Sequence, residues 1–83
     1  MIKVVFFASV REAMGTDHLE LDASEIDTVQ DVILRLARQG RGDEDRVLSR
    51  EDLLVAVNQT MVGLSHPVAT GDEVAIFPPV TGG

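Results

Sequence analysis

The chain ends in Pro78-Pro79-Val80-Thr81-Gly82-Gly83, and the most useful reactive group in its 83 residues is the carboxylate of Gly83. A carboxylate is inert until one oxygen becomes a leaving group, which adenylation by ATP on another enzyme achieves. The activated acyl group then accepts sulfur and becomes a thiocarboxylate, a chemistry that needs no cysteine. The residues before Gly83 suit insertion into a narrow channel. Proline fixes φ and favours extended backbone, so Pro78 and Pro79 carry the tail away from the preceding strand. Gly82 and Gly83 pass where side chains cannot. Extended from Pro78, the tail spans roughly 20 Å, at about 3.3 to 3.6 Å per residue.

Other candidates for side-chain chemistry are few. His18 sits in an alternating polar and apolar run and His66 stands beside Pro67 in a turn, so both read as surface histidines rather than catalytic groups or ligands. Asp72 and Glu73 are adjacent in sequence, and in a strand adjacent side chains point to opposite faces, which argues against a paired acid and base. Gly63 and Gly71 do not form a phosphate-cradling loop. No metal site is expected, and the domain is not expected to catalyse anything by itself.

The elements that must position the tail follow from periodicity. Ile2-Lys3-Val4-Val5-Phe6-Phe7-Ala8 is apolar at both parities, the pattern of a strand flanked on both sides in the middle of a sheet. Ser9 and Glu12 fit a capping box over a short helical turn, Val10 to Met14, stopped by Gly15. His18-Leu19-Glu20-Leu21-Asp22 alternates as a half-exposed strand and pairs antiparallel with the first. A main helix starts near Thr28 with Asp31 in its first turn. Val29, Val32, Ile33, Leu36 and Ala37 form its apolar stripe, Arg35 and Arg38 favour its C-terminal end, and Gly40 stops it. The charged segment from Arg41 to Glu51 reads as a surface loop with no assigned function. Leu53 to Val57 is a further strand, Asn58-Gln59 a turn into Thr60-Met61-Val62, and His66-Pro67 and Thr70-Gly71-Asp72 are turns before the last strand, Glu73 to Phe77. The first and last strands, both apolar at either parity, should lie side by side and parallel, with the helix supplying the crossover. The expected class is α+β, a ubiquitin-like β-grasp with a mixed sheet packed on one main helix. Residues 1–77 form the domain and 78–83 the extended tail.

Composition narrows the possible functions. An apolar fraction of 45 % supports one core at this length, and the absence of Cys removes disulfides, thiolate metal sites and a cysteine nucleophile. Seven basic against fourteen acidic residues give a formal charge of −7, which disfavours nucleic acid. Every Lys and Arg lies at or before Arg50. The C-terminal part therefore suits an electropositive partner. No run resembles a signal peptide or a membrane span, so no membrane partner and a cytoplasmic location are expected.

Three blocks together resemble a known family: Lys3-Val4-Val5-Phe6-Phe7-Ala8 with Arg11-Glu12, then Val57-Asn58-Gln59-Thr60, then Gly71 through Phe77 into Pro78-Pro79-Val80-Thr81-Gly82-Gly83. In this order they are similar to the small subunits of molybdopterin synthase, ubiquitin-like sulfur carriers of the MoaD type. The resemblance implies that an ATP-dependent activating enzyme adenylates Gly83 and converts it to a thiocarboxylate. It further implies insertion of the tail into a large synthase subunit, where two carriers in turn give sulfur to cyclic pyranopterin monophosphate. Sulfur is then carried covalently and no cofactor is bound by the chain itself. By the same analogy Phe7, Met61 and Phe77 form an apolar docking surface with Arg11 as a polar contact. Ile76 stands where many relatives have Phe. From the residues alone Phe7 and Phe77 could equally fill the core, because parity does not say which way a strand faces. Two other functions remain open: a modifier whose Gly83 joins target lysines, and an interaction module whose tail does no chemistry.

Overall fold

In the computed structural model, residues 1–39 and 53–78 are described. They form β1 (Ile2–Phe6), α1 (Ala8–Met14), β2 (His18–Leu21), α2 (Val29–Gln39), β3 (Leu54–Val57), β4 (Thr60–Val62) and β5 (Glu73–Phe77). Gly40 and the segment from Arg41 to Glu51 lie outside the described residues, as does the tail from Pro79 onward.

The five strands make one sheet in the order β2-β1-β5-β3-β4. β1 pairs antiparallel with β2 and parallel with β5, with Val4 opposite Val74 and Phe6 opposite Ile76. β5 in turn pairs antiparallel with β3, so the last strand is hydrogen-bonded on both sides. The parallel pair at the centre is the one expected from the two strongly apolar runs, and its crossover contains α2.

One face of the sheet makes the core. Ile2, Val4 and Phe6 of β1, Val55 and Val57 of β3, and Val74 and Ile76 of β5 are buried with Val29, Val32 and Leu36 of α2 and Val10 of α1. Fully burying each of these side chains contributes about 1.5 to 3 kcal/mol in transfer terms. The helical stripe predicted for α2 is therefore the lid of the core. Its start is a reciprocal cap: Asp31 Oδ2 accepts from Thr28 N at 3.1 Å and Asp27 N at 2.9 Å, while Thr28 Oγ1 accepts from Asp31 N at 3.4 Å.

One local expectation is corrected. Ser9 and Glu12 do not cap α1. Phe7 is the N-cap residue, with extended φ −126° and ψ 148°, and no side chain caps the helix. The reason is that Phe7 N donates to Ile76 O at 3.2 Å, which holds Phe7 against β5 and starts the helix directly after it. Ala8 makes the change of direction at φ 51°, and Gly15 ends α1 at φ 74°, as a left-handed C-terminal residue should. β1 is the central strand expected, flanked by β2 and β5. On the core face Ile2, Val4 and Phe6 are buried; on the other face Lys3 and Phe7 are exposed and Val5 is half-buried, while Ala75 of β5 and Ala56 of β3 are buried at 9 % and 4 % exposure.

Candidate functional site

The open face of the sheet carries an apolar row across four of its five strands. The registers place Val5 opposite Ala75, Ala75 opposite Ala56, and Ala56 opposite Met61, so the row crosses β1, β5, β3 and β4 and ends on β2 at His18, opposite Val5. Directly paired residues share a face, and the next row toward the end of β5 pairs Phe77 with Leu54. The two alanines make the middle of the row low, while Met61, 55 % exposed, rises at one side.

Phe7 and Phe77 stand at the end where the tail leaves. Their rings stack with centroids 4.6 Å apart and 10° between planes. Phe7 is 42 % exposed and Phe77 half-buried, so the pair sits on the open face and not in the core. Stacking of this kind is worth about 0.5 to 1.5 kcal/mol beyond area burial. Pro78, half-buried, continues directly from Phe77.

Beside this pair a depression of about 310 Å³ is lined by Lys3, Val5, Phe7, Arg11, Asp17 and His18 among others. Arg11 is exposed on α1. His18 Nδ1 donates to Asp17 Oδ1 at 2.7 Å, and that bond, with Arg11 at longer range, holds the Asp17 carboxyl below the usual carboxylate range. The apolar end of the face is thus rimmed by charge.

Phe7, Met61, Phe77 and Arg11, all named from the sequence, are brought onto or beside this one face. Pro79, Val80, Thr81, Gly82 and Gly83 lie outside the described residues. Val5, Leu54, Ala56 and Ala75 complete the face and were not singled out from sequence; only the strand register reveals them. His18 and His66 are exposed, as read from their surroundings, and His18 contributes only to the rim. Asp72 and Glu73 do not act together. Asp72 accepts from Ala69 N at 2.9 Å and from Asn58 Nδ2 at 3.1 Å, whereas Glu73 meets Lys3 Nζ at 4.0 Å. Among the described residues no polar side chain is buried and no group of three or more His, Asp or Glu is placed to hold a metal. Nor is any described helix long and apolar enough to cross a membrane.

A mixed five-stranded sheet closed over one main helix, with its parallel first and last strands at the centre, is the ubiquitin-like β-grasp class. Within it the chain belongs to the ThiS family, whose model matches residues 4–83. The chain is 54 % identical over 86 residues to the molybdopterin synthase sulfur carrier subunit of Escherichia coli K12, covering 100 % of both chains. It is 44 % identical over 84 residues, again across 100 % of both, to the subunit of the same name from Haemophilus influenzae. The crystal structure of SAMP1, a small archaeal modifier protein, from Haloferax volcanii superposes with a TM-score of 0.81 at 30 % identity, covering 99 % of this chain and 98 % of that one.

Proposed function

We propose that this chain is the sulfur carrier of molybdopterin synthesis and that Gly83 is its reactive residue. An ATP-dependent activating enzyme joins the Gly83 carboxylate to AMP and releases pyrophosphate. Sulfur then displaces AMP at the carbonyl carbon, leaving a thiocarboxylate. The tail, Pro78 through Gly82, delivers that group into the large subunit of the synthase, where the sulfur passes to cyclic pyranopterin monophosphate. The carrier binds no cofactor of its own. Phe7, Phe77 and Met61 dock the body on the partner, with Arg11 at the rim.

The observation that carries this reading is the end-to-end identity of 54 % with a sulfur carrier subunit. The open apolar face supports it, because contiguous exposed apolar surface next to a functional element marks an interaction site. The test is an intact-mass measurement after reaction with the activating enzyme, ATP and a sulfur source. The expected species is heavier by the exchange of one oxygen for sulfur at Gly83; its absence, with pyrophosphate released, would refute the proposal.

A second reading is a protein modifier, and the similarity to SAMP1 favours it. In that case cell extracts would contain covalent ladders of this chain on other proteins, lost when Gly83 is deleted.

A further inference from the structure

Phe7 is an exposed side chain whose backbone is held on both sides. Its N–H donates to Ile76 O at 3.2 Å, and its own carbonyl accepts from Val10 N at 3.1 Å and Arg11 N at 3.4 Å in the first turn of α1. Ala8, directly after it, sits at φ 51°. That left-handed backbone is costly for a residue with a Cβ, and alanine has no polar side-chain group to offset the strain. Strain of this kind persists only where the surroundings over-determine it, and it gathers at functional positions. A strand, a helix start and a strained joint thus all act to fix a ring that is 42 % exposed.

What that ring touches is the root of the tail. The parallel register that pairs Phe6 with Ile76 continues one residue further, so Phe7 comes beside Phe77, and the two rings stack with 4.6 Å between centroids. On its other side Phe77 is paired with Leu54 of β3, itself half-buried. Phe77 is the last residue of β5, and Pro78 follows it at once. The final side chain of the sheet is therefore bracketed between β3 and the joint of β1 with α1. Because proline fixes its own φ, the direction in which the backbone leaves Phe77 is handed on through Pro78 with little freedom to correct it. Removing the Phe7 ring would leave Phe77 its pairing with Leu54 and take away the other arm of the bracket.

We propose that Phe7 is a positioning residue for the reactive terminus as well as a docking anchor: its ring, stacked on Phe77, sets the line along which the tail leaves the docked body. The inference rests on the sulfur-carrier reading above and deepens it. An anchor alone changes how much carrier is bound. A positioning residue also changes how fast the bound carrier reacts, because a misplacement on the order of 1 Å caused by a remote change can slow a reaction roughly 10²-fold. The ring acts through Phe77, not on the sulfur.

The test uses the full-length carrier in its thiocarboxylate form, checked by intact mass, with the large subunit in saturating excess and cyclic pyranopterin monophosphate as acceptor, over a single turnover. Phe7→Leu keeps an apolar side chain on the face and removes the stack. Its transfer rate at saturation should fall by about tenfold or more, whereas Phe7→Tyr, which keeps the ring, should stay within about twofold of wild type. Phe77→Leu should fall by a similar factor, and the double variant should fall no further than the slower single one, since the two rings act as one pair. Urea midpoints are measured alongside, so that a lost fold is not read as lost positioning. Equal rates for Phe7→Leu and wild type at saturation, losses that multiply in the double variant, or a loss in Phe7→Tyr as large as in Phe7→Leu would overturn the inference and leave the sulfur-carrier reading standing. A wild-type carrier that transfers no sulfur would remove that reading and this inference with it.

Discussion

Asn58 shows how much one turn residue can do here. It sits at φ 50° and Gln59 at φ 72°, the two positive values that a tight hairpin between β3 and β4 demands. Its side chain then reaches the start of β5: Nδ2 donates to Asp72 Oδ1 at 3.1 Å, and Oδ1 accepts from Glu73 N at 3.0 Å. The turn itself is legible in the sequence because Asn tolerates this backbone. The reach to Asp72 is not, since those partners meet only once β3 and β5 have paired. Asn58→Ala should destabilise the fold by about 2 kcal/mol, combining left-handed strain with lost hydrogen bonds. Asn58→Gly should cost about half of that, because it keeps the backbone and loses only the bonds. Urea titrations of both variants check the split. Phe7 makes a different demand, as its ring is exposed but its backbone is held by Ile76. Phe7→Ala should weaken binding to the large synthase subunit by about 2 kcal/mol, as loss of an interface anchor does, measured by calorimetry. The same change should cost fold stability only about 1 kcal/mol, the scale of the lost ring stacking.

Among the elements, the same capping signature occurs twice and works once. Thr28 and Asp31 form the reciprocal cap of α2, where a bridge to Pro67 holds the threonine at the helix start: Val68 N donates to Asp27 O at 2.9 Å and Val29 N to His66 O at 3.0 Å. Ser9 and Glu12 carry an equivalent pattern, yet β5 grips Phe7 and moves the helix start two residues earlier. Thr28→Ala should therefore cost about 1 kcal/mol, and Ser9→Ala should stay within about 0.5 kcal/mol, by thermal or urea unfolding. The cap also gives a pH dependence. Backbone N–H bonds from Asp27 and then Thr28 lower the Asp31 pKa in the fold. A lowered folded value means the stabilisation is complete above the unfolded carboxylate value of about 3.9 and is lost as pH falls through the folded one. Asp31→Asn should flatten the fall in urea midpoint over that acid range. The strands teach a related lesson. The doubly apolar pattern of β1 and β5 correctly locates the sheet centre. On the open face Ala75 is buried, Val5 and Phe77 are half-buried and Phe7 is exposed, and a hydrophobic pattern cannot distinguish these degrees of cover.

For the molecule as a whole, charge and tail act at different ranges. With a formal charge of −7, approach to an electropositive partner should be steered, and the association rate with the large subunit should fall by about tenfold or more between low and high salt. Dissociation, governed by the apolar face, should change much less; stopped-flow measurements separate the two. Adding one residue after Gly83 should stop sulfur transfer as completely as deleting Gly83, while calorimetric affinity for the large subunit largely survives in both. The central position of β5 bears on mechanical strength. Because this strand is laced to β1 on one side and β3 on the other, a pull along its axis from Phe77 loads two rows of hydrogen bonds that must slip together, not peel one by one. Were the proposed function to have a partner grip the chain beyond Phe77, the body would come away folded, as a key is withdrawn by its shank.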